Sequence, residues 1–109
     1  MASTADFLNF ILSRISSAGE ITYKSTQGNY NIYCNGKMVA LIREDRLFVK
    51  NTEAGKLYMK KYLEVPPYSG ARPCLLITDL SDEYFTLADV IRITYDELPL
   101  PSRKSTKKD

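Results

Sequence analysis

Hydrophobic positions in the first twenty residues recur every three or four places: Phe7, Leu8, Ile11, Leu12 and Ile15. That spacing describes one face of an amphipathic helix that packs on a sheet. Ser3 and Thr4 stand where an N-cap belongs, Asp6 falls in the first turn, and Ser16, Ser17 and Gly19 end the helix. From Glu20 to Asn51 the period changes to two. A first strand is expected from Ile21 to about Lys24, with a break at Gly28 and Asn29. Residues 30–34 and 37–43 then form a hairpin around Asn35-Gly36, a pair that accepts the positive φ of a two-residue turn. A further strand, residues 46–50, follows a turn at Glu44-Asp45.

A tight turn at Asn35-Gly36 sets a register. Cys34 opposes Lys37, Tyr33 opposes Met38, Ile32 opposes Val39 and Tyr30 opposes Leu41. Opposed residues share a face. One face is then expected to collect Tyr30, Ile32, Cys34, Val39, Leu41 and Phe48, and the other Tyr33, Met38, Ala40, Ile42, Leu47 and Val49. Both are partly apolar, so either helices cover both sides or the second side meets another chain.

Thr52 caps a second helix carrying Glu53 in its first turn and Ala54, Leu57, Tyr58 and Tyr62 at helical spacing; Pro66 and Pro67 are expected to stop it. The loop VPPYSGARP, residues 65–73, leads into a buried strand, CLLIT. Ser81 caps a last helix with Asp82 and Glu83 at its start and a stripe of Tyr84, Leu87, Ala88, Ile91, Tyr95 and Leu98. Val90 and Ile93 lie off that stripe. The order α-β-β-β-β-α-β-α predicts an α+β domain, a mostly antiparallel sheet of about five strands with helices packed on it. The domain is expected to span residues 1–98, followed by a disordered basic tail, residues 99–109.

Composition narrows the function. With no His in 109 residues, His-based triads and His metal sites are excluded. Cys34 and Cys74 are expected to be buried free thiols. No apolar run approaches the roughly 18 residues of a membrane span, and the start is unlike a signal peptide, so a cytoplasmic protein without membrane contact is expected. The net charge of +2 divides unevenly. Four of the fifteen basic residues and one of the thirteen acids lie from Pro99 onward, giving +3 there and −1 for the first 98 residues.

Candidate chemistry is sparse. The acid pairs Glu44-Asp45, Asp82-Glu83 and Asp96-Glu97 sit in a turn and at helix ends, where solvated turns and caps explain them. No phosphate-binding glycine motif is present. In VPPYSGARP, Tyr68 and Arg72 are the candidate interaction residues, although the loop reads better as a stiff connector than as a site. Nucleic acid is the alternative partner, weakly bound by Lys24, Lys37, Arg43 and Arg46 with the tail residues Arg103, Lys104, Lys107 and Lys108. Tyr23, Tyr30 and Tyr33 could imitate a stacking platform, but core and edge packing explains them more simply.

The segment GNYNIYCNGKMVALIREDRLFVKN, residues 28–51, resembles the signature of the TfoX/Sxy N-terminal domain family, and so do PPYSGARPCLLITDL and LADVIRITYDELPLP. The resemblance runs from about Ala5 to Lys108 and is to the short, stand-alone members with a basic tail. Members often carry Met-Phe-Gly before the Tyr-rich strand; here only Gly28 of Thr26-Gln27-Gly28 matches, and Asn31 stands where another glycine is expected. The resemblance implies a helix-covered antiparallel sheet similar to secretion-chaperone-like domains, and a link to bacterial competence regulation known from longer members. It brings no catalytic residues and no cofactor. The expected activity is therefore non-enzymatic, a regulatory domain working through an unknown protein partner and through self-association as a homo-oligomer.

Overall fold

The computed structural model describes residues 4–81, 83 and 85–99. Helix α1, Ala5–Ile15, starts where Thr4 accepts a hydrogen bond from the Phe7 N–H, and continues as a 3-10 turn, Ser16–Ala18. The β-strands β1 Ile21–Thr26, β2 Asn29–Cys34, β3 Lys37–Arg43 and β4 Arg46–Val49 form a meander through three two-residue turns. All six turn residues have positive φ, from Gln27-Gly28 to Asn35-Gly36 to Glu44-Asp45. That conformation matches the right-handed twist of the strands it joins. Glu44 and Asp45 adopt it without a glycine, and Asp45 Oδ1 accepts the Thr4 N–H at 2.8 Å, tying the turn to the start of α1.

Helix α2, Glu53–Met59, is capped by Thr52 and ends at Lys60, whose φ of 68° breaks the helix. The prolines therefore do not stop it, and Tyr62 lies beyond it. Instead Leu63–Val65 forms β5, an edge strand paired with β6, Cys74–Ile77. Residues 66–73 are the connection of that hairpin. The sheet has six strands in the order β1-β2-β3-β4-β6-β5, one more than expected, and every neighbouring pair is antiparallel. Helix α3, Leu87–Glu97, starts at Thr86 and not at Ser81, because the Thr86 hydroxyl takes the Asp89 N–H. Its buried face is Leu87, Val90, Ile91 and Thr94, so Val90 belongs to the core and Ala88 and Tyr95 to its margin. Ser3, Asp82, Tyr84 and the tail from Leu100 onward lie outside the described residues.

The helices occupy one side of the sheet. Leu8, Ile11 and Ile15 of α1, Met59 of α2, and Leu87, Val90 and Ile91 of α3 meet Ile32, Cys34, Ile42, Leu47, Val49, Leu75 and Ile77 in one cluster. A smaller cluster of Leu41, Phe48 and Cys74, flanked by Met38, Val65 and Leu76, lies on the opposite side. The expected register holds at Cys34–Lys37 and Tyr33–Met38 and then shifts, so that Ile32 pairs with Ala40 and Tyr30 with Ile42. Val39 is the extra residue of a β-bulge. Val39, Ala40 and Ile42 consequently all join the helix-side core, and Leu41 moves to the other side. Between β3 and β4 the pairs are Leu41–Phe48, Ile42–Leu47 and Ala40–Val49, so Phe48 shares a side with Leu41, and Leu47 and Val49 with Ile42 and Ala40, as expected.

Helices α2 and α3 are joined closely. Gly55 faces α3 where a Cβ would stand 2.7 Å from the Thr52 hydroxyl oxygen, the atom that accepts the Gly55 N–H. Glu97 accepts the Glu53 and Ala54 N–H groups at 3.0 and 2.8 Å, which completes the N-terminal end of α2 from the end of α3. Tyr58 donates to Asp89 and accepts the Thr86 N–H, a second tie at the start of α3.

Candidate binding face of the sheet

Register assigns every strand residue to a side. Opposite the helices lie Thr22, Lys24 and Thr26 of β1, Asn29, Asn31 and Tyr33 of β2, Met38, Leu41 and Arg43 of β3, and Arg46 and Phe48 of β4. Leu63 and Val65 of β5 and Cys74 and Leu76 of β6 complete it. None of these positions is Asp or Glu, and three are Lys or Arg. The 66–73 connection bends over this side, with Gly70 at φ 87° supplying its reversal. Between connection and sheet is a cavity of about 890 Å³ bounded by Asn31, Met38, Leu41, Arg43, Lys50 and Asn51 below and by Tyr68 and Arg72 above. Leu98, at the end of α3, also reaches it.

The sequence candidates separate on this geometry. Tyr68 and Arg72 both stand at the cavity, so the loop that resembles a connector is also its roof. Tyr68 is 54% exposed, and the Arg43 guanidinium lies 5.5 Å from its ring centroid. Lys24 shares the face, with Nζ 5.8 Å from the Tyr33 ring. Arg46 pairs across from Arg43 and is exposed. Lys37 is withdrawn from the set: it is 9% exposed, and its ammonium donates to the carbonyls of Tyr95 at 2.8 Å and Leu98 at 2.6 Å. It also lies 4.2 Å from the Tyr95 ring, so it serves as the cap of α3's C-terminal end. Arg103, Lys104, Lys107 and Lys108 lie outside the described residues.

One cation missed from sequence belongs here: Lys50, which lines the cavity together with Arg43 and Arg72. Lys50 was legible by alternation, two places beyond Phe48 on the same side. The tyrosines divide. Tyr23 and Tyr30 pack edge to face at 5.9 Å on the helix side, whereas Tyr33 lies on the open side. The acids act as structural acceptors: Asp45 holds Thr4 and Glu97 holds the α2 N-terminus. Among the described residues no three His, Cys, Asp or Glu side chains converge as metal ligands. Cys34 and Cys74 are free and buried, and burial raises both thiols above the usual thiol range.

The sequence that builds this arrangement matches a known family. The family model described as TfoX N-terminal domain matches residues 13–99. The chain belongs to the TfoX N-terminal domain family. A similar protein is known from Spirochaeta aurantia, the uncharacterized 12.7 kDa protein in trpE 5'region. It is 25% identical over 107 residues, covering 98% of this chain and 93% of its own length. The match to the TfoX domain spans the whole meander, the roofed cavity and α3. Among the described residues no helix is long and apolar enough to cross a membrane.

Proposed function

We propose that this TfoX-type chain is a non-enzymatic regulatory domain that works by binding an anionic macromolecule on the helix-free face of its sheet. One observation carries the reading: Lys24, Arg43, Arg46, Lys50 and Arg72 gather on that side, while its strand positions include no carboxylate. Competence-type regulation is the role that the family brings to it. Charge disfavours self-association through the same face, because a two-fold contact would set two groups of cations against each other. A partner with complementary charge meets no such opposition.

The test compares transcript profiles of the source cell carrying the native gene, a deletion, or either of two charge-reversed variants. Arg43→Glu with Arg72→Glu is expected to reproduce the deletion. Lys60→Glu with Lys61→Glu, an equal charge change beside α2, is expected to resemble the native gene. Equal effects from both variants, or none from the first, would remove the role of this face.

A further inference from the structure

We propose that the polyanion bound here is single-stranded nucleic acid, laid across the strands with bases against Tyr68 and Tyr33. The inference rests on the binding-face reading and names its partner. The cations are spread out. Lys24 on β1 and Arg46 on β4 are three strand spacings apart, about 14 Å at the usual separation, and Lys50 and Arg72 stand at the cavity. A small anion would occupy only the cluster at the cavity, whereas an extended chain of phosphates can engage the whole line.

Beside the cations stand aromatic rings. Tyr68 is 54% exposed next to Arg43, and partly exposed Tyr33 is next to Lys24. Positive groups interleaved with rings are the composition of grooves that hold single strands, where phosphates meet the cations and bases stack. The cavity of about 890 Å³ adds an apolar floor of Met38 and Leu41 for a planar base, and the amide of Asn31 for its polar edge; the Asn51 amide donates to the Glu64 carboxylate at 2.7 Å. A duplex keeps its base faces stacked on each other and has none to offer the rings. An acidic peptide would satisfy the cations and leave the rings without a planar partner. The basic tail contains no aromatic residue, so its charges can add affinity but not stacking.

Fluorescence anisotropy of the full chain with labelled 15-residue oligo(dT) and oligo(rU) tests the proposal. Five phosphates neutralised on a single strand predict an affinity loss of about 100-fold between 50 and 200 mM salt. Arg43→Ala is expected to reduce the logarithmic salt slope by about 0.7. Tyr68→Ala is expected to weaken binding about tenfold and leave that slope unchanged. A full-length chain with Arg103→Gln, Lys104→Gln, Lys107→Gln and Lys108→Gln is expected to keep the Tyr68 effect. Equal affinity for a 15-residue duplex, indifference to Tyr68→Ala, or complete loss of binding on neutralising the tail would overturn the inference. Binding of a 15-residue oligo-glutamate in place of the oligonucleotides would overturn it too, but would keep the binding-face reading. Binding of neither would remove both.

Discussion

The side of the sheet under the helices and the side under the 66–73 hairpin are drawn from alternate residues of the same strands, yet they are built differently. Under the helices the strand residues are aliphatic and closely covered: Ile32, Val39, Ala40 and Ile42 are wholly buried. Under the hairpin an apolar centre of Leu41, Phe48 and Cys74 is ringed by Lys24, Arg43, Arg46 and Lys50, and a cavity remains open. The first side has the composition that burial rewards, and the second retains charge that burial would penalise. The first 98 residues, which sum to −1, can therefore present a basic surface, because their charges are sorted by face and composition averages over both.

The sharpest way to break this comparison is to truncate sequence neighbours that point to opposite sides. Ile42→Ala, in the helix-side core, is expected to cost about 2–5 kcal/mol. Leu41→Ala borders a cavity that water can enter and is expected to cost at least about 1 kcal/mol less. Urea unfolding measures both, and equal losses would show that the two sides are equally packed. Lys37→Met is expected next in size, at about 2 kcal/mol, since it leaves the Tyr95 and Leu98 carbonyls without their charged donor. A neutral result would mean that Lys37 only fills space there.

Gly55→Ala replaces a glycine within a helix, a change that ordinarily gains up to about 1 kcal/mol. Here the added methyl meets the Thr52 cap, so a loss of about 1 kcal/mol is expected; a gain would show that the Thr52 side chain can give way to the methyl. Smallest of all are the open-face changes Arg46→Ala and Tyr68→Ala, both at exposed positions and expected to stay within about 0.5 kcal/mol. A larger loss at Tyr68 would make the roof a stability element and blur the division between the two sides.

Local chemistry made much of this architecture readable in advance. Asn35-Gly36 fixed a hairpin, Thr4 and Thr52 marked helix starts, and period-two alternation found the meander. What stayed hidden depended on contacts distant in sequence. Strand β5 was obscured because Leu63–Val65 follows a helical pattern and precedes two prolines, features that fit a helix stop as well as an edge strand. The true start of α3 hung on which hydroxyl would take the N–H three places on: Thr86 takes that of Asp89, whereas Ser81 takes that of Glu83, two places on. Lys37 looked like a surface cation because its partners are the last carbonyls of a helix some sixty residues away. Of the candidate site, Tyr68, Arg72, Lys24, Arg43 and Arg46 were each visible, but their convergence was not, since the connection had first to fold back over the sheet.

Val39 has a consequence that reaches past its own place in β3. A strand counts its residues modulo two, and one added residue works as a half-period phase shift for everything after it. With Val39 counted once more, Ala40 and Ile42 fall in phase with the interior and Leu41 and Arg43 with the exterior. Were Val39 instead paired regularly with Ile32, the frame would slip: Leu41 and the guanidinium of Arg43 would turn to the helix side. The basic surface of this protein is thus written in the bulge of one strand as much as in its lysines and arginines.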